Sequence, residues 1–122
     1  MTNNLAMIVD DNGDMRALMT THLRHLGFSV GTFATCHEAI SAVDRGYLPA
    51  LVVIDFELND EITGDILITA LQKMLGKCAY ILWTAHEAGK EMADALSCLW
   101  LSKSSDRDEI ASLLKEAGYE HS

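Results

Sequence analysis

A chain of 122 residues with 49% apolar and 22% charged residues is of single-domain size and long enough to bury a core. No apolar run reaches the length of a bilayer crossing, and the first ten residues carry neither basic charge nor a signal-peptide cleavage pattern, so the expected compartment is the cytoplasm. The formal net charge of −9 argues against nucleic acid and against an anionic membrane surface as partners.

In chain order the sequence alternates two patterns. Short apolar runs, expected as strands, are "LAMIVD" (5–10), "FSVGTF" (28–33), "ALVVID" (50–55), "AYILWT" (79–84) and "CLWLSK" (98–103). The third is apolar on both faces, as in a central parallel strand covered by helices above and below. Between the runs, apolar residues recur at helical spacing. Met15, Leu18, Met19, His22, Leu23 and Leu26 mark a first helix ended by Gly27; Ala39, Ile40 and Val43 a second ended by Gly46 and Pro49. Ile66, Leu67, Ala70, Leu71, Met74 and Leu75 mark a third ended by Gly76. Ala88, Met92, Ala95 and Leu96 form a fourth, and Ile110, Leu113, Leu114 and Ala117 a fifth ended by Gly118.

Strict alternation predicts an α/β fold with a parallel sheet and right-handed crossovers. No linker, repeat or low-complexity stretch interrupts it, so residues 1–122 read as one domain without a second one for output. Cys36, Cys78 and Cys98 form no CxxC pair and are expected to be reduced thiols. His22 and His25 lack the H-E-x-x-H pattern of a helical metal site and are expected at the helix margin.

In such sheets a ligand binds beyond the carboxyl ends of the strands, so the strand-ending residues carry the chemistry. These are Asp10 and Asp11 after the first run, Asp55 after the third, Thr84 after the fourth and Lys103 after the fifth. Close carboxylates repel by about 4 kcal/mol per pair at an intermediate dielectric, a cost that a hard cation removes. Mg²⁺ prefers oxygen ligands and keeps positions open for water and phosphate, so Asp10 and Asp11 are expected to hold it. Beside such an ion Asp55 would attack phosphorus and become an aspartyl phosphate. Lys103 would neutralise the transferring oxygens, and the Thr84 hydroxyl would donate to one of them. Asn12 is expected to cap the first helix.

These four strand-end motifs, "VDDN", "VVIDFEL", "WTA" and "LSK", resemble those of the response-regulator receiver domains of two-component signalling, in order and along essentially the whole chain. The resemblance implies a flavodoxin-like doubly wound (βα)5 fold with strand order 2-1-3-4-5. It implies a histidine kinase or histidine phosphotransfer protein as donor to Asp55 and an unidentified protein target, with output through helix four, strand five and helix five. By motif match, Asp11 and Asp55 would ligate Mg²⁺ directly, Asp10 through water, and Glu57 through its main-chain carbonyl. Thr84 and Trp100 would form the activation switch, and Glu57 with His86 would tune phosphoryl lifetime. Such a domain is not an independent enzyme beyond self-phosphorylation and autodephosphorylation.

Three departures stand out. Asn59 occupies a position usually held by proline, and Gly64 lies nine rather than eight residues after Asp55, a variant that resembles receivers attached to hybrid kinases more than those of transcription factors. Lys103 is followed by Ser104 instead of proline, so the step is either trans or a strained cis bond, and Trp100 is larger than the usual switch aromatic. Two other readings compete. A degenerate receiver would bind partners without phosphorylation. A small phosphatase of the haloacid-dehalogenase type would need a second aspartate two residues after the nucleophile, where Glu57 stands, and a cap domain for which the chain has no room.

Overall fold

The computed structural model describes residues 4–55, 64–75, 78–84, 88–103 and 107–116. Among them five strands and five helices alternate: β1 (Leu5–Val9), α1 (Gly13–His25), β2 (Ser29–Phe33), α2 (Cys36–Asp44), β3 (Leu51–Asp55), α3 (Gly64–Met74), β4 (Ala79–Thr84), α4 (Ala88–Ala95), β5 (Leu99–Ser102) and α5 (Arg107–Glu116). All pairings are parallel and the order is β2-β1-β3-β4-β5, the flavodoxin-like arrangement.

The sheet separates two apolar clusters, because alternate side chains of a strand point to opposite faces. One contains Met7, Val9, Val52, Ile54, Tyr80 and Leu82 under α2, α3 and α4. The other contains Ala6, Ile8, Leu51, Val53, Ile81 and Trp83 under Met19 and Leu23 of α1 and Ile110 and Leu114 of α5. β3 is buried over its whole length, as its two-sided apolar pattern requires.

The helices begin where local polar chemistry allows. Asn12 caps α1, its side chain accepting from the Asp14 and Met15 amides, and Thr35 caps α2 by accepting from the Glu38 amide. Gly27, at φ 95°, takes the left-handed turn that ends α1. The periodicity overstates burial at three positions: Leu18, Ile66 and Met74 are exposed. Each residue turns a helix by about 100°, so a six-residue stripe is wider than the strip that touches a flat sheet. Met19 and Leu23 claim that strip in α1, and Leu67, Ile68 and Leu71 in α3.

On β2 the side chain of Tyr47 crosses over Gly31 to reach β1. Its hydroxyl donates to the Ala6 carbonyl at 2.6 Å, and its ring meets Phe33 edge-on at 5.7 Å between centroids. A Cβ on Gly31 would stand 2.5 Å from the Tyr47 hydroxyl oxygen and 2.9 Å from Cζ. Only glycine admits this path. On the opposite edge of the sheet, burial pushes the thiols of Cys78 and Cys98 from their ordinary 9.0 up to about 11, and raises the Tyr80 hydroxyl as well.

Gly31→Ala is therefore expected to lower the unfolding free energy by about 2 kcal/mol, the scale of an overpacked contact plus a lost hydrogen bond. In urea titrations the Gly31→Ala, Tyr47→Phe double variant should lose less than the sum of the singles, since removing the hydroxyl takes away the closest of the clashing atoms. The two thiols set an alkaline limit. Their folded pKa values lie above the unfolded ones, so their neutral forms stabilise the fold fully below pH 9, and that contribution fades as pH rises toward about 11. Thermal midpoints measured across this interval should fall, and should fall less in a Cys78→Ala, Cys98→Ala variant.

Candidate phosphoryl-acceptor site

The strand parity that sorts the core also builds the site. Asp10 continues the Ala6–Ile8 face of β1, Asp55 the Leu51–Val53 face of β3, and Lys103 the Leu101 face of β5, so all three belong to the α1/α5 side of the sheet. They lie at the carboxyl ends of β1, β3 and β5, and β1 and β3 are direct neighbours.

Asp10 is fully buried and Asp55 is 6% exposed. Oxygens of Asp10, Asp11 and Asp55 lie within 4.8 Å of one another, with Asp11 on the solvent side. Into this anionic group reaches Lys103. Its ammonium stands 2.7 Å from Asp10 Oδ2 and 3.6 Å from Asp55 Oδ1. The adjacent carboxylates of the first strand end are thus met by a cation that the chain itself supplies. Among the described residues, one ammonium with three carboxylates gives a formal charge of −2, and hard oxygen donors at this spacing suit a small divalent cation.

The backbone holds the cluster in place. The Asn12 amide donates to Asp10 Oδ1 at 2.9 Å, and Arg16 Nη1 donates to the Asp10 carbonyl at 2.7 Å. The Asp10 amide donates to the Phe33 carbonyl at 3.1 Å, and the Lys103 amide to the Thr84 carbonyl at 3.2 Å. The first of these bonds explains why Asn follows the aspartate pair: one residue caps α1 with its side chain and fixes Asp10 with its amide.

Thr84 ends β4 at 1% exposure, on the opposite face from Lys103. Trp100 pairs with Leu82 and stands diagonally from Thr84 on that face. It packs half-buried against the α2–α4 cluster, with its indole nitrogen buried and without a hydrogen-bond partner among the described residues. Glu57, His86, Asn59 and the Lys103–Ser104 step lie outside the described residues.

Trp83 is not among the strand-end residues that the sequence singles out. The residue is 2% exposed in the α1/α5 core, but its ring also lies under Lys103, with Nζ 4.0 Å from the ring centroid. The available signal was parity: Trp83 pairs with Asp55 in register and shares a face with Leu101, two residues before Lys103.

A family model described as the response regulator receiver domain matches residues 6–115. No curated protein sequence matches significantly. Among solved structures, the receiver domain protein (CheY-like) of Methanospirillum hungatei JF-1 superposes with a TM-score of 0.83 at 18% identity, over 95% of this chain and 94% of that one. Chemotaxis protein CheY4 of Vibrio cholerae gives 0.80 at 19% identity, over 94% and 98%. A response regulator of Burkholderia pseudomallei, solved with a phosphorylated aspartic acid and a calcium ion, gives 0.81 at 18% identity, over 92% and 66%. At these identities the superpositions speak for the fold, and the family model covers nearly the whole alternating core. The chain belongs to the response regulator receiver domain family.

Proposed function

We propose that this chain is a phospho-accepting receiver domain in which Asp55 takes a phosphoryl group from a phosphohistidine. The observation that carries the reading is the cluster itself: three carboxylates within 4.8 Å, with Lys103 Nζ between Asp10 and Asp55. The phosphorylated aspartic acid and bound cation of the Burkholderia relative support the same chemistry in this fold.

In this reading an Asp55 carboxylate oxygen attacks phosphorus. The O–P bond forms as the P–N bond breaks, and the electron pair of that bond stays on the departing imidazole. Lys103 moves its contact from the Asp55 carboxylate to an oxygen of the incoming group, while remaining near Asp10. Thr84, at the end of the neighbouring strand, donates its hydroxyl to another. Mg²⁺ held by Asp11, Asp55 and, through water, Asp10, with the Glu57 carbonyl, would neutralise charge on the transferring oxygens. Trp100 would follow Thr84, since the two share a sheet face and a diagonal. Glu57 and His86 would act on the water that hydrolyses the aspartyl phosphate.

The donor would be a histidine kinase or a histidine phosphotransfer protein, the partners typical of the family. The whole chain would work as one receiver in the cytoplasm; no helix among the described residues is long and apolar enough to cross a membrane. Output would use the α4–β5–α5 side, where β5 is an edge strand and a groove of about 470 Å³ runs past Trp100, Ser102, Asp108 and Ser112.

Calorimetry and thermal unfolding test the metal site. Mg²⁺ at a hundred times its Kd should add about 2.7 kcal/mol of stability, and Asp11→Asn should remove most of that gain. Beryllofluoride, added with Mg²⁺, should change tryptophan fluorescence in the wild type and leave Asp55→Asn unchanged. A chain that binds Mg²⁺ but ignores the mimic would be a degenerate receiver, contrary to this reading. The decay rate of the aspartyl phosphate should shift several-fold when Glu57 and His86 are both replaced by alanine; an unaltered rate would remove their assigned role.

A further inference from the structure

Among the described residues Lys103 is the cation that stands between two of the carboxylates, and a lysine is a poor object to place. Its ammonium sits on a four-carbon stem with three freely rotating donors, and no fork geometry fixes it. The side chain is 20% exposed, so solvent competes for it. Its ion pair with Asp10 is the shorter of two, at 2.7 Å against 3.6 Å to Asp55, which favours the side of the cluster away from the reacting oxygen. Something else limits where the ammonium can go.

We propose that the indole face of Trp83 is that limit: Trp83 is a positioning residue that holds Lys103 beside Asp55 for phosphoryl transfer. The inference rests on the receiver reading above. The contact is 4.0 Å from Nζ to the ring centroid, well inside the range over which an ammonium is attracted to an aromatic face. Tryptophan gives the strongest attraction of the aromatic side chains, and desolvation strengthens it. Trp83 is 2% exposed and packed with Ile81, Leu101, Ile110 and Leu114, so the ring is a fixed platform. It also pairs in register with Asp55 across β3 and β4, which puts the platform on the strand next to the acceptor.

The ring contributes what a fourth carboxylate would not. Carboxylate oxygens engaged by a divalent cation are lost to Lys103, whereas the neutral ring neither binds that cation nor adds negative charge to an already anionic cluster. With Asp55 oxygens engaged by such a cation, the ring face together with Asp10 would remain as the partners that keep Nζ in place. Leucine or methionine at this position would fill the core without offering a face.

The test compares wild type with Trp83→Phe, Trp83→Met and Trp83→Leu, phosphorylated by acetyl phosphate in saturating Mg²⁺. Trp83→Leu and Trp83→Met should label about two- to thirty-fold more slowly, the range that a cation–π contact supplies, and Trp83→Phe should recover much of the loss. Mg²⁺ affinity by calorimetry should stay near the wild-type value in all of them. A role in packing alone predicts that rates track stability, with no ranking by aromatic face, and that result overturns the proposal. The unsubstituted protein gives a second readout that does not depend on variant folding. The ε-methylene protons of Lys103 should be shifted upfield by the indole ring current, with and without Mg²⁺; ordinary shifts would overturn the proposal. If the wild type labels normally and Trp83→Leu keeps pace with it, the positioning role alone fails. If the wild type takes no phosphoryl group at all, the receiver reading fails and this inference falls with it.

Discussion

The ion contact between Lys103 and the buried Asp10, extended to Asp55, is the constraint on which the site depends. Asp10 has no solvent exposure, and a buried carboxylate without compensation is costly. Compensation comes from two directions. The ammonium takes one oxygen, the Asn12 amide takes the other, and Asp11 is left facing water. Among the described residues the three carboxylates outnumber the one ammonium, the charge pattern of a cation site.

The lysine that neutralises Asp10 comes from the far end of the chain, 93 residues away. No local signal links them. What brings them together is a parallel sheet in which β1 and β5 point the same way, so that both strand ends arrive at one rim. Side-chain alternation then does the finer sorting. Asp10, Asp55, Trp83 and Lys103 share the α1/α5 face, while Thr84 and Trp100 share the other. Asp55 with Lys103 and the Thr84–Trp100 pair thus occupy opposite sides of the same sheet edge, separated by one step along β4.

Opposite that rim the fold spends its residues on shape. Tyr47 reaches across Gly31 of the edge strand β2 to the Ala6 carbonyl and ties the loop after α2 to β1. This brace lies on β1, the strand that ends in the aspartate pair, so the backbone that presents Asp10 is held at both of its neighbours. Stability and site geometry are coupled through that strand.

Much of this was legible in the residues. The alternation of apolar runs and helical stripes sets the α/β class, because the two periods, near 2 and 3.6, cannot be satisfied by the same backbone. The grouping of Asp10, Asp11, Asp55 and Lys103 was legible too, since in a parallel sheet every strand end faces the same rim. Tertiary structure decided what depends on distance and facing. It showed that Lys103 leans to Asp10 more closely than to Asp55, that Leu18, Ile66 and Met74 lie outside the strip that a flat sheet can cover, and that Trp83 turns its ring to the ammonium. A one-dimensional pattern records which residues recur on a face. Which atoms on that face come within 4 Å of each other is set by twist, register and packing between segments that the chain order keeps far apart.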